Sequence, residues 1–415
     1  MAELHEIKEQ EERFVLVGVA SNVNDDTQQS LDELEELAAT AGATTVGKII
    51  QNRETIHPGT YIGKGKIDEV RALAMETGAT GVVCDDELTP VQLKNLEDAL
   101  QMKVLDRTVI ILDIFASRAS TKEGKIQVEL AQLRYRSSRL IGLRNSLSRL
   151  GGGIGTRGPG EKKLEMDRRI IKERITQLRR ELDEVKQNRE TSRSLRSKNM
   201  IPVVAIVGYT NAGKSTLLNH LTNAGVLEED KLFATLDPTT RTLILESGQQ
   251  VLLTDTVGFI RKLPHHLVES FRSTLEEAKY ADIILHVVDS SNPDAYSQMH
   301  IVYDTLNQLG IQDKVIITAF NKQDKLEAET IIKDFKADHT VKISAKTGAD
   351  IDKLLAVIEK VLGERKVLLE KVFSYQDAGK IQTVRKYGQL LEEEYQQEGI
   401  YVKAYVPKEV YQTLV

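Results

Sequence analysis

The chain has no tryptophan and one cysteine in 415 residues. A lone Cys84 cannot close an internal disulfide or build a thiolate metal cluster. It lies in the apolar run Gly81-Val-Val-Cys84, which suits a buried structural thiol better than a nucleophile. No apolar run approaches the ~20 residues of a membrane-spanning helix. The first residues, MAELHEIKEQEERF, are acidic and polar, unlike a signal peptide, so a cytoplasmic protein is expected. There is no low-complexity segment and no repeat with a period of about 20–50 residues. What is present is a globular composition, 40% hydrophobic and 28% charged, with length for about three domains.

The net charge of −6 is unevenly spread. Residues 134–200 hold nineteen Lys/Arg against eight Asp/Glu, a local charge of +11, which leaves −17 for the rest. A basic segment in an acidic chain suggests contact with a polyanion. A solvated helix face laced with salt bridges is the alternative.

The stretch around which the chain is organised is Val203-Val-Ala-Ile-Val-Gly208-Tyr209-Thr210-Asn211-Ala212-Gly213-Lys214-Ser215-Thr216. A β-branched apolar run leads into G-x-x-x-x-G-K-[ST], and Leu217, Leu218 and Leu221 follow at helical spacing. That strand–loop–helix context is the one in which this motif holds phosphate. Glycines allow the backbone to approach phosphate oxygens, and the N–H groups of the loop and helix start point at the anion. Lys214 supplies a point charge, and the Ser215 hydroxyl is placed to ligate Mg2+.

Three further strand ends complete a nucleotide site. Val251-Leu-Leu-Thr-Asp255-Thr-Val-Gly258 ends in D-x-x-G, so Asp255 can hold the metal through water and the Gly258 N–H can sense a γ-phosphate. Lys314-Val-Ile-Ile-Thr-Ala-Phe-Asn321-Lys322-Gln323-Asp324 ends in N-K-x-D. A carboxylate at Asp324 can accept from guanine N1–H and the N2 amino group, and adenine offers neither donor. Lys322 would lie along the base plane. Ser344-Ala345-Lys346 follows the last strand, where the Ala345 N–H can reach guanine O6. Ligands bind open α/β sheets at such strand ends. Between the first two motifs, Phe233-Ala-Thr235-Leu-Asp237-Pro238-Thr239-Thr240-Arg241 is the expected mobile segment. Thr235 is the first candidate for the metal, with Thr239 and Thr240 as alternatives. Phe259 stands where Ras-like enzymes carry the glutamine that orients water, so slow intrinsic hydrolysis is expected and the catalytic residue is undefined. Arg241 and Arg261 could supply positive charge to the reaction but read first as surface residues, and His265 and His266 are conceivable bases but read first as exposed loop histidines.

The whole chain reads as an α/β multidomain protein. Residues 1–108 alternate strand and helix signals: strands at Phe14–Val19, Thr44–Ile50, Gly81–Cys84 and Lys103–Leu105, helices at Ser30–Ala41, Lys66–Thr77 and Pro90–Leu100. This is a small parallel α/β domain. Its Gly63-Lys64-Gly65-Lys66 loop opens a helix and could touch phosphate, or be a plain turn. Residues 109–199 form a basic antiparallel helical hairpin. Ile126, Leu130, Leu133, Leu140 and Leu147, then Leu164, Ile171, Ile175, Leu178, Leu182 and Val185, follow a 3.5-residue repeat. A glycine-rich tip at 149–160 joins the two helices. Arg149, Arg157, Lys162 and Lys163 make it a candidate RNA contact, with a flexible linker as the alternative. Residues 191–201 read as a linker. Residues 200–365 are the P-loop domain. Residues 366–415 form a small α+β unit, with a strand at Val367–Ser374, a helix over Gly379–Glu394 and a strand at Ile400–Tyr405.

Taken together, GYTNAGKS, ATLDPTTR, DTVGFI, NKQD, SAK, the tip RLGGGIGTRGPGEKKLEMDRR and the early GTYIGKGK resemble the HflX family of translation-associated GTPases, within the Obg-HflX superfamily. The resemblance covers nearly the whole chain. It implies a GTP/GDP- and Mg2+-binding hydrolase that binds the large ribosomal subunit and its rRNA in the GTP form. Splitting or rescue of stalled ribosomes under stress is implied, with the hairpin tip reaching toward the peptidyl transferase centre and with hydrolysis stimulated by the ribosome. Some members are reported to bind ATP through the N-terminal domain, for which Gly63–Lys66 is the candidate here. A monomer is expected. The alternatives are a ribosome-assembly or RNA-remodelling GTPase, and a signalling GTPase whose hairpin binds a protein.

Overall fold

The computed structural model describes residues 11–21, 26–150, 159–198, 201–222, 232–233, 236–264, 267, 277–311, 313–326, 332–364 and 366–414; side chains at 141–150, 159–164, 188–198, 378, 386, 408 and 409 are outside the description. Two compact units are present. The first comprises Met1–Glu184 with Lys231–Phe233 and Arg261–Phe271, and the second the remainder.

In the first unit, β1 (Arg13–Ala20), β2 (Thr44–Asn52), β3 (Gly81–Cys84) and β4 (Lys103–Asp106) pair in parallel in the order β2-β1-β3-β4. Helices α1 (Thr27–Thr40), α2 (Lys64–Thr77) and α3 (Pro90–Leu100) connect them. A central parallel strand is covered on both faces, so β1 is buried from Phe14 to Val19. Local chemistry sets the helix ends. Thr89 and Gln92 form a reciprocal capping box with Pro90 in the first turn, and Gly78 closes α2 at φ +64°. Cys84 is buried, and burial pushes its thiol well above the usual range, as expected of an inert side chain.

Helix α4 (Arg107–Arg118) was not foreseen. Its apolar residues Ile110, Ile111, Leu112, Ile114 and Phe115 are buried, and it starts on Asp106, whose carboxylate caps Val109 N at 3.1 Å. The same carboxylate accepts from Leu88 N at 3.0 Å, Tyr135 Oη at 2.9 Å and Arg139. It thereby bolts the next helix, α5 (Lys122–Leu150), to the end of β4. Helix α6 (Pro159–Lys198) follows. Ile126, Leu130 and Leu133 pack with Ile175, Leu178 and Leu182, along the seam read from the 3.5-residue repeat, and Arg174 chelates Glu129 at 2.7 and 3.0 Å.

Two boundaries differ from expectation. Arg149 and Leu150 still belong to α5, and Pro159 and Gly160 already belong to α6. Proline is compatible with a first turn because its missing N–H would have no helical partner there. Residues 191–198 are helical rather than a linker.

In the second unit, β5 (Val203–Gly208), β6 (Thr239–Ile244), β7 (Gln250–Asp255), β8 (Ile283–Asp289), β9 (Val315–Asn321) and β10 (His339–Lys342) form one sheet in the order β10-β9-β8-β5-β7-β6, antiparallel only at β6–β7. Helices α7 (Lys214–Thr222), α8 (Ala295–Gln308) and α9 (Ile351–Glu364) flank it. The core centres on Val204, Ile206, Leu217, Leu253, Leu285, Ile317, Leu354 and Ile358. The chain ends in an antiparallel sheet, β11 (Lys366–Phe373), β13 (Gly399–Pro407) and β12 (Gln389–Gln396) in that order. Helices α10 (Ala378–Tyr387) and α11 (Lys408–Leu414) bury Ile381, Val384, Val410 and Leu414 with Leu369, Phe373, Val402 and Val406. The helix expected over Gly379–Glu394 therefore stops at Tyr387. Gly388 breaks it, and the polar stretch that follows pairs as an edge strand. Charged edges are tolerated because one side stays in water.

Candidate nucleotide site

The motif residues gather at the carboxyl ends of β5, β7, β8, β9 and after β10. Two glycines are required there by close approach. A Cβ on Gly208 would lie 2.3 Å from Val287 O, and one on Gly213 (φ +95°) 2.3 Å from Asn321 Nδ2. Tyr209, Thr210 and Ala212 are buried, and Asn211 takes φ +60° to complete the loop. Ser215 and Thr216 stand in the first turn of α7 behind Lys214.

Asn321 ties three loops together. Its Nδ2 donates to Ala212 O at 2.8 Å, and its Oδ1 accepts from Ala345 N at 2.9 Å. Asp324 lies nearer the surface. It accepts from Ser344 Oγ at 2.6 Å, and that bond first of all holds its carboxyl below the usual range. Lys322, at φ +62°, pairs with Asp289 at 2.7 Å. No motif spacing assigns Asp289 a role. Its position at the end of β8 was the only sequence signal. Lys346 is exposed beside this loop.

Lys214 is buried, and Nζ donates to Tyr209 O at 2.7 Å. Burial pushes its ammonium down to about 8, offset in part by Asp255 and reinforced by Lys322. Ser215 Oγ donates to Asp255 Oδ2 at 2.9 Å. Phe259 is buried and bridges the loop through its backbone: Phe259 N donates to Gly208 O at 3.1 Å, and Thr210 N to Phe259 O at 2.8 Å. A Cβ on Gly258 would fall 2.9 Å from Lys214 Nζ. The arrangement can cradle an anion with loop N–H groups and one buried cation, and present a carboxylate to a base.

The remaining candidates divide. Thr239 lies in register with Asp255, and Thr240 shares a 3.0 Å hydroxyl contact with Thr254. Thr235, His265 and His266 lie outside the described residues, as does Arg157. Arg149, Lys162 and Lys163 are helical, with side chains outside the description. Arg241 is exposed, as expected. Arg261 is not a surface residue: it is buried in the first unit and paired with Asp26. Its motif neighbours gave no hint of a partner 235 positions away. In the Gly63–Lys66 loop, Gly63 N already donates to Gln51 Oε1 at 2.8 Å, and Lys66 pairs with Glu69 at 2.7 Å. Among the described residues, no helix is long and apolar enough to cross a membrane.

A mixed sheet with a glycine-lined phosphate loop and the N-K-x-D and D-x-x-G strand ends defines a P-loop GTPase. Residues 28–116 match the family described as GTP-binding GTPase N-terminal, 118–196 the GTP-binding GTPase middle region, and 203–322 the 50S ribosome-binding GTPase. The GTPase HflX of Lacrimispora saccharolytica is 66% identical over 414 residues, covering 100% of this chain and 98% of that protein. The HflX of Caldanaerobacter subterraneus subsp. tengcongensis is 50% identical, over 99% and 95% of the two chains, and that of Escherichia coli 43%, over 85% and 84%. The chain belongs to the HflX family of GTPases. Among solved structures, SsGBP in complex with GDP aligns at 25% identity over 84% of this chain and 98% of that chain, with a TM-score of 0.47.

Proposed function

We propose that this GTPase binds the large ribosomal subunit in its GTP form and splits or rescues stalled ribosomes, with hydrolysis to GDP and phosphate releasing it. The observation that carries the reading is the joining of a set of guanine-nucleotide motifs, linked through Asn321, to a hairpin region of local charge +11, in a chain whose GTPase segment matches a 50S ribosome-binding family.

In this reading, the N–H groups of Gly208–Thr216 hold the phosphates and Lys214 the β- and γ-oxygens. Asp324, whose carboxyl the Ser344 hydroxyl holds below the usual range, reads the guanine edge, with Lys322 along the base and Ala345 N–H at O6. Ser215 and Asp255 fit a magnesium ion. They form an adjacent pair of hard oxygen donors, and Mg2+ takes few protein ligands because it keeps waters and substrate phosphates. When bound, the ion neutralises charge on the phosphates. Thr235 is proposed as the threonine that joins it. Gly258 N–H reports the γ-phosphate. Its neighbour Phe259 holds the backbone of Thr210. Arg149, Arg157, Lys162 and Lys163 would meet rRNA backbone.

The test is co-sedimentation with isolated large subunits. Retention with a non-hydrolysable GTP analogue and not with GDP is expected, followed by loss of light scattering from intact ribosomes. Equal retention in both states would overturn the switch. Precursor subunits accumulating in a deletion strain, without splitting by purified components, would favour the assembly or RNA-remodelling alternative that the basic hairpin also allows.

A further inference from the structure

Asparagine would serve the turn at the end of β8 as well as aspartate does. Asp289 Oδ1 accepts from Ser291 N at 3.0 Å and from Ser291 Oγ at 2.6 Å, a local pattern that either side chain can make. The second oxygen is used differently. Asp289 Oδ2 pairs with Lys322 Nζ at 2.7 Å, with 13% and 15% of the two side chains exposed, so solvent and salt screen the pair only in part. The backbone around the pair is also tied. Asp289 and Asn321 are register partners on β8 and β9. Ser290 N donates to Asn321 O at 3.0 Å, and Gln323 Nε2 donates to Ser290 Oγ at 3.0 Å. Asp289 and Ser290 thus hold Asn321, Lys322 and Gln323 one after another. A carboxylate fixed by its own turn fixes in its place the free end of the lysine in N-K-x-D.

We infer that Asp289 is a positioning residue for guanine-nucleotide binding and acts through Lys322: it pins the ammonium so that the lysine stem is already laid out for the base when the nucleotide arrives. The inference rests on the reading that places Lys322 along the base plane. A free lysine stem samples many rotamers and must give them up on binding. Here Nζ is held at one end by Asp289, and the backbone at the other end is set at φ +62°. The ordering is then done on folding instead of on binding, which strengthens binding without any new contact to the ligand. Asp289 itself needs no contact with the nucleotide.

GDP affinity of the full-length chain tests it, measured for D289N, K322A and the double variant beside the unaltered protein. D289N keeps the turn acceptor and removes the charge. Losing the preorganisation of one long side chain predicts GDP affinity about fivefold lower in D289N. K322A should lose at least as much. In the K322A background D289N should add nothing, because a residue that acts through Lys322 then has nothing to position. The ratio of GDP to IDP affinity should be the same in D289N as in the unaltered chain, since the same reading gives the guanine edge to Asp324. A D289N affinity within about twofold of the unaltered chain, or above it, would overturn the inference. A gain would mark the pair as a latch that nucleotide has to open. Equal losses from D289N with and without Lys322 would also overturn it, and would point to packing of the turn. If D289N does not fold, S291A gives the same cycle, because it loosens the carboxylate and keeps its charge. K322A binding GDP as tightly as the unaltered chain would remove the base-plane reading and the inference with it. A weakened K322A beside an unchanged D289N would remove the inference alone.

Discussion

The two outer residues of Asn321-Lys322-Gln323-Asp324 should fail in different ways when replaced. Asn321 is 2% exposed and bridges Ala212 O at 2.8 Å and Ala345 N at 2.9 Å. N321A leaves a buried carbonyl and a buried N–H without partners, and each costs about 1–3 kcal/mol. A loss of about 2–4 kcal/mol from the unfolding of the GTPase unit is expected, because some relaxation or water entry offsets the upper end. Asp324 accepts from Ser344 in a largely solvated position, so D324N should change stability by less than about 1 kcal/mol. Its effect should fall on base choice, through the loss of the carboxylate proposed to accept two guanine donors. The chain has twelve tyrosines and no tryptophan, so tyrosine fluorescence or circular dichroism follows denaturation. Unfolding of a multidomain chain need not be two-state, and the relevant transition is the one that GDP shifts to higher denaturant. An N321A midpoint equal to that of the unaltered chain, or a D324N midpoint as low as N321A, would refute the bridging role.

Two further outcomes are expected. The Lys214 ammonium is held at about 8 by burial, against 10.5 unperturbed, so the folded state binds fewer protons than the unfolded one across that interval. Nucleotide-free stability should therefore rise as pH climbs from about 8 to 10.5, and K214M should flatten that rise and raise stability at pH 7 while abolishing GTP binding; an unchanged pH slope would contradict the burial argument. D106A removes the buried acceptor shared by Leu88 N, Val109 N, Tyr135 Oη and the half-buried Arg139, at a cost of about 3 kcal/mol. Hydrogen exchange should accelerate at the start of α4 and along Lys122–Arg139 of α5, and exchange confined to the α4 cap would show that Asp106 does not secure the hairpin base.

Most of the architecture follows from local pattern. Strand and helix periods placed seven elements of the first domain to within a few residues, because a parallel α/β layer repeats a local rule: apolar strand, polar turn, amphipathic helix. The nucleotide motifs are equally local, since a loop that wraps phosphate needs its glycines, lysine and serine next to one another in the chain. Failures occurred where local and long-range forces disagreed. The stretch Gln389–Gln396 has the charge of a solvated helix, but Gly388 and pairing with β13 make it an edge strand. Helix α4 is too uniformly apolar for its period to stand out.

The sequence by itself determined the chemistry: a guanine nucleotide, a phosphate loop, and no glutamine beside the γ-phosphate. Only the tertiary structure decided how those pieces support one another. It made Asn321 a bridge between loops, buried Arg261 against Asp26 and paired Lys322 with Asp289. The physical reason is that a motif's residue types are fixed by the ligand they meet. Burial and hydrogen-bond satisfaction depend instead on groups brought close by the fold from distant parts of the chain, and no spacing along the sequence records those distances.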